Sequence, residues 1–118
     1  LRSANKETVT IGPGSSQLIP TGLHLQLPPN LRGDIRSRSG VALNKKIIAL
    51  NGVIDSDYRG EICVLLFNLD SEIAQTVCRG ERIAQMVFTE NKRVNFIVAD
   101  KLDDTVRGES GFGSTGFM

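Results

Sequence analysis

Short apolar runs alternate with glycine, proline and asparagine along most of this chain. Val9–Ile11 precedes the turn Gly12-Pro13-Gly14, and Gln17–Ile19 runs into Pro20. Leu23, Leu25 and Leu27 alternate with His24 and Gln26, the period-two pattern of a strand with one buried face. That pattern ends at Pro28-Pro29-Asn30. Further strands are predicted over Lys46–Leu50, Glu61–Asn68, Ile73–Val77, Arg82–Phe88 and Val94–Val98. Only Val41–Lys45 invites a helical turn, and no segment sustains helical periodicity. Turn signals recur at a spacing of roughly 8–12 residues, which predicts an all-β sandwich or barrel.

Composition narrows this picture. A chain of 118 residues makes one domain. Hydrophobic residues reach 40% but aromatic residues only 5%, so an aromatic outside a strand stands out. Lys and Arg total 14 against 13 Asp and Glu, a net charge of +1 that gives no electrostatic basis for binding nucleic acid or a membrane. No apolar run approaches the ~18 residues of a membrane span, and no signal-peptide pattern is present. Cys63 and Cys78 read as reduced packing residues of an intracellular protein, cytoplasmic or nuclear. Two distant cysteines and a single histidine argue against a metal site. His24 reads as a solvent-facing strand residue without a catalytic role.

Four clusters carry candidate chemistry. Arg36-Ser37-Arg38-Ser39-Gly40 interleaves arginine and serine before a glycine, which suits an anion cradle or an ordinary polar loop. Asn51 to Glu61 reads as a hairpin or tight loop containing the pair Asp55 and Asp57. Those carboxylates suit a magnesium pair, a general base at Asp55, or an acidic turn with Asp57 paired to Arg59. In Gly80-Glu81-Arg82-Ile83-Ala84-Gln85, the neutral Gln85 interrupts an apolar run and needs a polar partner if buried. The tail from Arg107 to Gly116 combines glycines, hydroxyls, an arginine and the glycine-framed Phe112. It is too glycine-rich to hold a regular element, but its exposed amides, hydroxyls and cation suit a triphosphate. It is no P-loop, because Ser114 stands where that motif needs lysine and no helix can follow.

In this order and spacing the four clusters closely resemble the trimeric dUTPase family, matching all of its signature motifs but the first. The resemblance implies an all-β, jelly-roll-like β-clip subunit that forms a threefold homotrimer and carries a flexible C-terminal arm. Residues 1–106 would form the core and 107–118 an arm that closes over a neighbour's active site. The implied reaction is the hydrolysis of dUTP to dUMP and pyrophosphate with Mg²⁺. Asp55 resembles the residue that activates the water attacking the α-phosphorus. Gly52, Val53 and Ile54 resemble the backbone slot for uracil, and Tyr58 the residue packed beneath the deoxyribose. Arg38, Ser39 and Gly40 resemble phosphate binders, and Gln85 a glutamine near the α-phosphate. Arg107, Gly113, Ser114 and Thr115 resemble the arm's contacts to the γ-phosphate, with Phe112 stacking over uracil. Leu1 resembles the last residue of the family's first motif, so the aspartate implied near Mg²⁺ is expected upstream of it. Two alternatives are a dCTP deaminase of the same fold and a catalytically silent trimeric nucleotide-binding module.

Overall fold

The computed structural model describes residues 1–117; Met118, the last residue of the expected arm, lies outside the described residues. The elements are β1 (Val9–Ile11), β2 (Ser16–Leu23), β3 (Leu31–Arg36), α1 (Ser39–Lys45), β4 (Ile47–Ala49), β5 (Gly52–Ile54), β6 (Ile62–Asn68), β7 (Gln75–Val77) and β8 (Gln85–Glu90). They form three small antiparallel sheets of order β1-β7, β2-β6-β4 and β5-β3-β8. The fold is all-β and jelly-roll-like. No helix among the described residues is long and apolar enough to cross a membrane.

β6 alternates strictly along its length, with Ile62, Val64, Leu66 and Asn68 buried. These side chains meet Ile11 and Val77 from one sheet, Ile35 from another, and Ile83 and Ala84 from the segment entering β8. The core is therefore aliphatic, built of β-branched residues and leucine that pack well on pleated surfaces. Asn68 sits in it without an unmet bond: its Nδ2 donates to the Ile11 carbonyl at 3.1 Å and the Ile73 carbonyl at 2.8 Å, and its Oδ1 accepts the Asp70 N–H at 3.0 Å. That satisfaction is what makes a buried amide tolerable.

Four expectations are corrected here. β2 runs through Pro20 rather than stopping there. It is an edge strand paired only with β6, so the missing N–H breaks no second ladder, and its register shifts between Pro20 and Leu23. The leucine alternation survives beyond Leu23 as half-buried Leu25 and Leu27, but those residues pair with no strand. β3 has no counterpart among the predicted strands, because Arg32, Asp34 and Arg36 disguise it as a loop. It is the centre of its sheet, and the Asp34 carboxylate is held by Arg32 Nε at 3.1 Å and the Thr89 hydroxyl at 3.3 Å. Gly33 serves close approach there, since an added Cβ would stand 2.7 Å from Met86 Sδ. Val94–Val98 forms no strand; Phe96 is 96% exposed and no other strand of the chain lies beside it.

The whole segment from Asn91 to Phe117 is exposed apart from a half-buried Gly111. It gives the chain a radius of gyration of 19.3 Å and a longest extent of 57 Å. A compact domain of this length has a radius of gyration of about 13–14 Å. Cys78 is exposed, so it is not the packing residue expected; Cys63 is half-buried, and both are free thiols.

Candidate active site

A cleft of about 410 Å³ opens beside β5, within the usual size range of small-molecule sites. Val53, Ile54, Asp55, Tyr58 and Glu61 line it from the loop region, with Leu18 from β2 and Cys63 from β6. Gly52, Val53 and Ile54 form β5 itself, which pairs with β3 through Ile35↔Gly52, Asp34↔Val53 and Gly33↔Ile54. β5 lies at the edge of its sheet, so peptide groups on its outer side have no strand partner. The segment from Asn51 to Glu61 is thus a tight loop rather than a hairpin: β5 joins one sheet and β6 another.

The loop is braced at several points. The Tyr58 N–H donates to the Asp55 carbonyl at 3.2 Å, closing the turn that presents Asp55. The Tyr58 hydroxyl donates to the Glu61 carbonyl at 2.9 Å. Arg59 donates to the Ser56 carbonyl at 2.8 Å and forms no ion pair with Asp57. The end of β2 and the residue just beyond it supply the outside clamp. Gly22 N–H donates to Glu61 Oε1 at 2.8 Å, and His24 Nδ1 lies 2.9 Å from the Arg59 carbonyl. His24 is exposed as expected, yet it serves this loop. Burial, and secondarily the Glu61 carboxylate, pushes the Cys63 thiol above its ordinary value, so this cysteine is protonated and a weak nucleophile near neutrality.

Arg38, Ser39 and Gly40 form a second group at the start of α1, with Arg38 as the N-cap residue in extended conformation. Gln85, the first residue of β8, joins them: its Nε2 donates to the Ser37 carbonyl at 2.9 Å. Ser37, part of the candidate anion cradle in the sequence, instead bolts this corner to β4. Its Oγ accepts the Ala49 N–H at 2.9 Å and donates to the Ala49 carbonyl at 3.2 Å. A serine in a polar run gives no sign of that partner, which lies twelve residues away.

A third group lies in the tail. Arg107, Phe112, Gly113, Ser114 and Thr115 surround a concavity of about 390 Å³ lined only by tail residues. Arg107 Nε donates to the Ser110 carbonyl at 2.8 Å, and Ser114 N–H to the Gly111 carbonyl at 3.0 Å. Phe112 is fully exposed at φ 51°, in the left-handed region that an aromatic residue rarely occupies.

The three groups do not meet within one chain. On the central strand β3, Ile54 stands opposite Gly33 and Gln85 opposite Arg36. That is three residues, ~10 Å along the strand, with the two partners on opposite sides of it. Asp55 lies one residue further away still. Among the described residues, neither Arg38 nor Gln85 lines the cleft, and no tail residue does.

A family model described as dUTPase matches residues 1–116. The chain is 51% identical over 113 residues to a deoxyuridine 5'-triphosphate nucleotidohydrolase of Thermoanaerobacter sp., covering 94% of this chain and 76% of that protein. It is 49% identical over 110 residues to the enzyme of the same name from Methylocella silvestris, covering 92% and 68%. Among solved structures, the dUTPase of Staphylococcus bacteriophage 80alpha with dUpNHpp superposes with a TM-score of 0.84 at 25% identity, over 98% of this chain and 85% of that one. Native EIAV dUTPase gives 0.70 at 25% identity, over 86% and 84%. A nucleotide-sized cleft beside a free strand edge and a polar tail on an all-β frame agree with these likenesses. The chain belongs to the dUTPase family.

Proposed function

We propose that this protein hydrolyses dUTP to dUMP and pyrophosphate at sites shared between the subunits of a homotrimer. One observation carries the reading: the base cleft, the Arg38–Gln85 corner and the tail are separate on a single chain. Copies arranged around a threefold axis can bring the three groups of different subunits together. The exposed apolar side chains of Phe96, Ile97 and Val98 favour burial against another copy. The arm of residues 107–118 then serves a neighbour rather than its own subunit.

In this reading the outer edge of β5 pairs with uracil. Backbone donors and acceptors at Gly52, Val53 and Ile54 fit the uracil edge, whereas a cytosine amine presents the wrong polarity. Tyr58 fills the space beneath the sugar that a 2′-hydroxyl would need. Arg38, Ser39, Gly40 and Gln85 hold phosphate oxygens, and Arg107, Gly113, Ser114 and Thr115 take the terminal phosphate. Phe112 covers the base. Asp55 accepts a proton as water adds to the α-phosphorus; the bond to the bridging oxygen breaks, and pyrophosphate leaves with that electron pair.

Magnesium belongs to this proposal as a companion of the triphosphate. Among the described residues no group of three His, Cys, Asp or Glu side chains lies close enough to hold a metal ion. These side chains do not fit a metal cage, so no step is assigned to the ion. We place the protein inside the cell, where its two free thiols stay reduced.

Pyrophosphate release from dUTP, dCTP, dTTP and UTP tests the reading. Rapid turnover of dUTP alone is expected. Equal rates on all four would remove the specificity argument, and no turnover of dUTP would leave a silent binding module. Ammonia release from dCTP would move the protein to the deaminases; the intact Gly52–Glu61 segment stands against that.

A further inference from the structure

Gly60 is not among the residues that line the cleft, yet the Tyr58 ring leans directly on it. An added Cβ at Gly60 would overlap the Tyr58 hydroxyl and stand 2.6 Å from Cζ and 3.0 Å from Cε2. No real Cβ tolerates such contacts. The ring is drawn into this position by its own hydroxyl, which donates to the Glu61 carbonyl at 2.9 Å. Glu61 is fixed in turn through Oε1, which accepts the Gly22 N–H at 2.8 Å. The tyrosine is therefore folded back onto the 60–61 backbone, and the space it uses exists only because residue 60 has no side chain.

We infer that Gly60 is a positioning residue that seats the Tyr58 ring in the wall of the cleft and so sets discrimination between 2′-deoxy and 2′-hydroxy sugars. The inference rests on the assignment of Tyr58 to the sugar made above. Gly60 does not occupy the left-handed region, unlike Gly80 or Gly113, so alanine suits its backbone. The colliding atoms are the far end of one exposed side chain, with Tyr58 44% exposed. Gly60→Ala should therefore fold normally and displace the ring, breaking the bond from its hydroxyl to Glu61. The ring then loses its fixed place beneath the sugar while Asp55, on the other side of the turn, keeps its own.

The chain has one tyrosine and no tryptophan, so tyrosine emission reports Tyr58 alone. Two readouts follow for full-length Gly60→Ala: acrylamide quenching of that emission, and the ratio of kcat/KM for dUTP over UTP. Quenching should increase, and the ratio should fall about tenfold or more, the scale of one lost steric contact in a specificity pocket. Tyr58→Ala should lower the ratio at least as far, and adding Gly60→Ala to it should lower the ratio no further, because the two changes act through one ring. Unchanged quenching and ratio in Gly60→Ala, with the ratio lost in Tyr58→Ala, would overturn the role of Gly60 and leave that of Tyr58 standing. An unchanged ratio in Tyr58→Ala would overturn the sugar assignment itself, and with it the consequence drawn for Gly60. Equal further loss on adding Gly60→Ala to Tyr58→Ala would show that Gly60 acts elsewhere, and would also sink the inference.

Discussion

The loop from Asn51 to Glu61 and the tail from Arg107 to Gly116 are both polar, glycine-containing and rich in candidate site residues, yet the fold treats them differently. The loop is clamped by the end of β2 at Gly22, by His24 just beyond it, and by its own turn at Asp55. Among the described residues, the tail's hydrogen bonds stay within it, as from Arg107 to Ser110, or reach back only to the Thr105 hydroxyl just before it. A preformed loop can recognise a base and sugar by shape before chemistry. In the proposed function, a tail whose described residues make no hydrogen bond to the β core is suited to close afterwards and to stabilise the reacting state. Under that proposal, specificity thus belongs to the braced region and closure to the unattached one.

The sharpest way to break this division is at Asp55. Asp55→Asn should lower kcat about 10²–10⁴-fold, the range of a lost general base, with nucleotide binding and thermal stability preserved. Mixed trimers refolded from Asp55→Asn chains and chains ending at Val106 should recover activity that neither has alone. No recovery would mean that loop and tail of one site come from the same subunit.

A paired measurement comes next. Leu66 is fully buried in β6, so Leu66→Ala should cost about 2–5 kcal/mol of stability by chemical denaturation. Phe112→Ala should leave the denaturation midpoint where it is and weaken catalysis by about 1–3 kcal/mol, the worth of stacking on a base. A destabilised Phe112→Ala protein would show that the tail packs on its own core, and the comparison would collapse.

The smallest effect is expected at acid pH, in a region outside both. Asp70 Oδ1 accepts the N–H groups of Glu72 at 2.9 Å and Ile73 at 3.0 Å, and Lys46 lies 3.5 Å from Oδ2. These bonds, the backbone pair foremost, hold its carboxyl below the ordinary value of 3.8. A depressed carboxyl contributes stability that is complete above that ordinary value and vanishes as pH falls through its folded one. The midpoint temperature of wild type should exceed that of Asp70→Asn near neutral pH, and the gap should close below about pH 4. A gap independent of pH would remove the carboxylate from the account.

Much of this protein was legible in its residues. The strict alternation of β6 marks a strand with one buried face whatever surrounds it. The loop around Asp55 is marked by turn chemistry, and the order of the four polar clusters identified the family. β3 was hidden because Arg32 and Asp34 are satisfied by each other and by Thr89 once β8 lies alongside, and a ladder partner about fifty to sixty residues away leaves no local trace. Val94–Val98 misled for the opposite reason: its apolar composition calls for burial, but this chain offers no surface to bury it.

The sequence by itself determined the all-β class, the chemistry available and the family, because these depend on residue type and short spacing. Only the tertiary structure decided that β5 is a free edge, that Ser37 bolts the phosphate corner, that Gly60 leaves room for Tyr58, and that the three groups stand apart. Those facts depend on which distant backbones lie side by side, and pairing across a sheet is settled by the packing of the whole core rather than by any local run of residues.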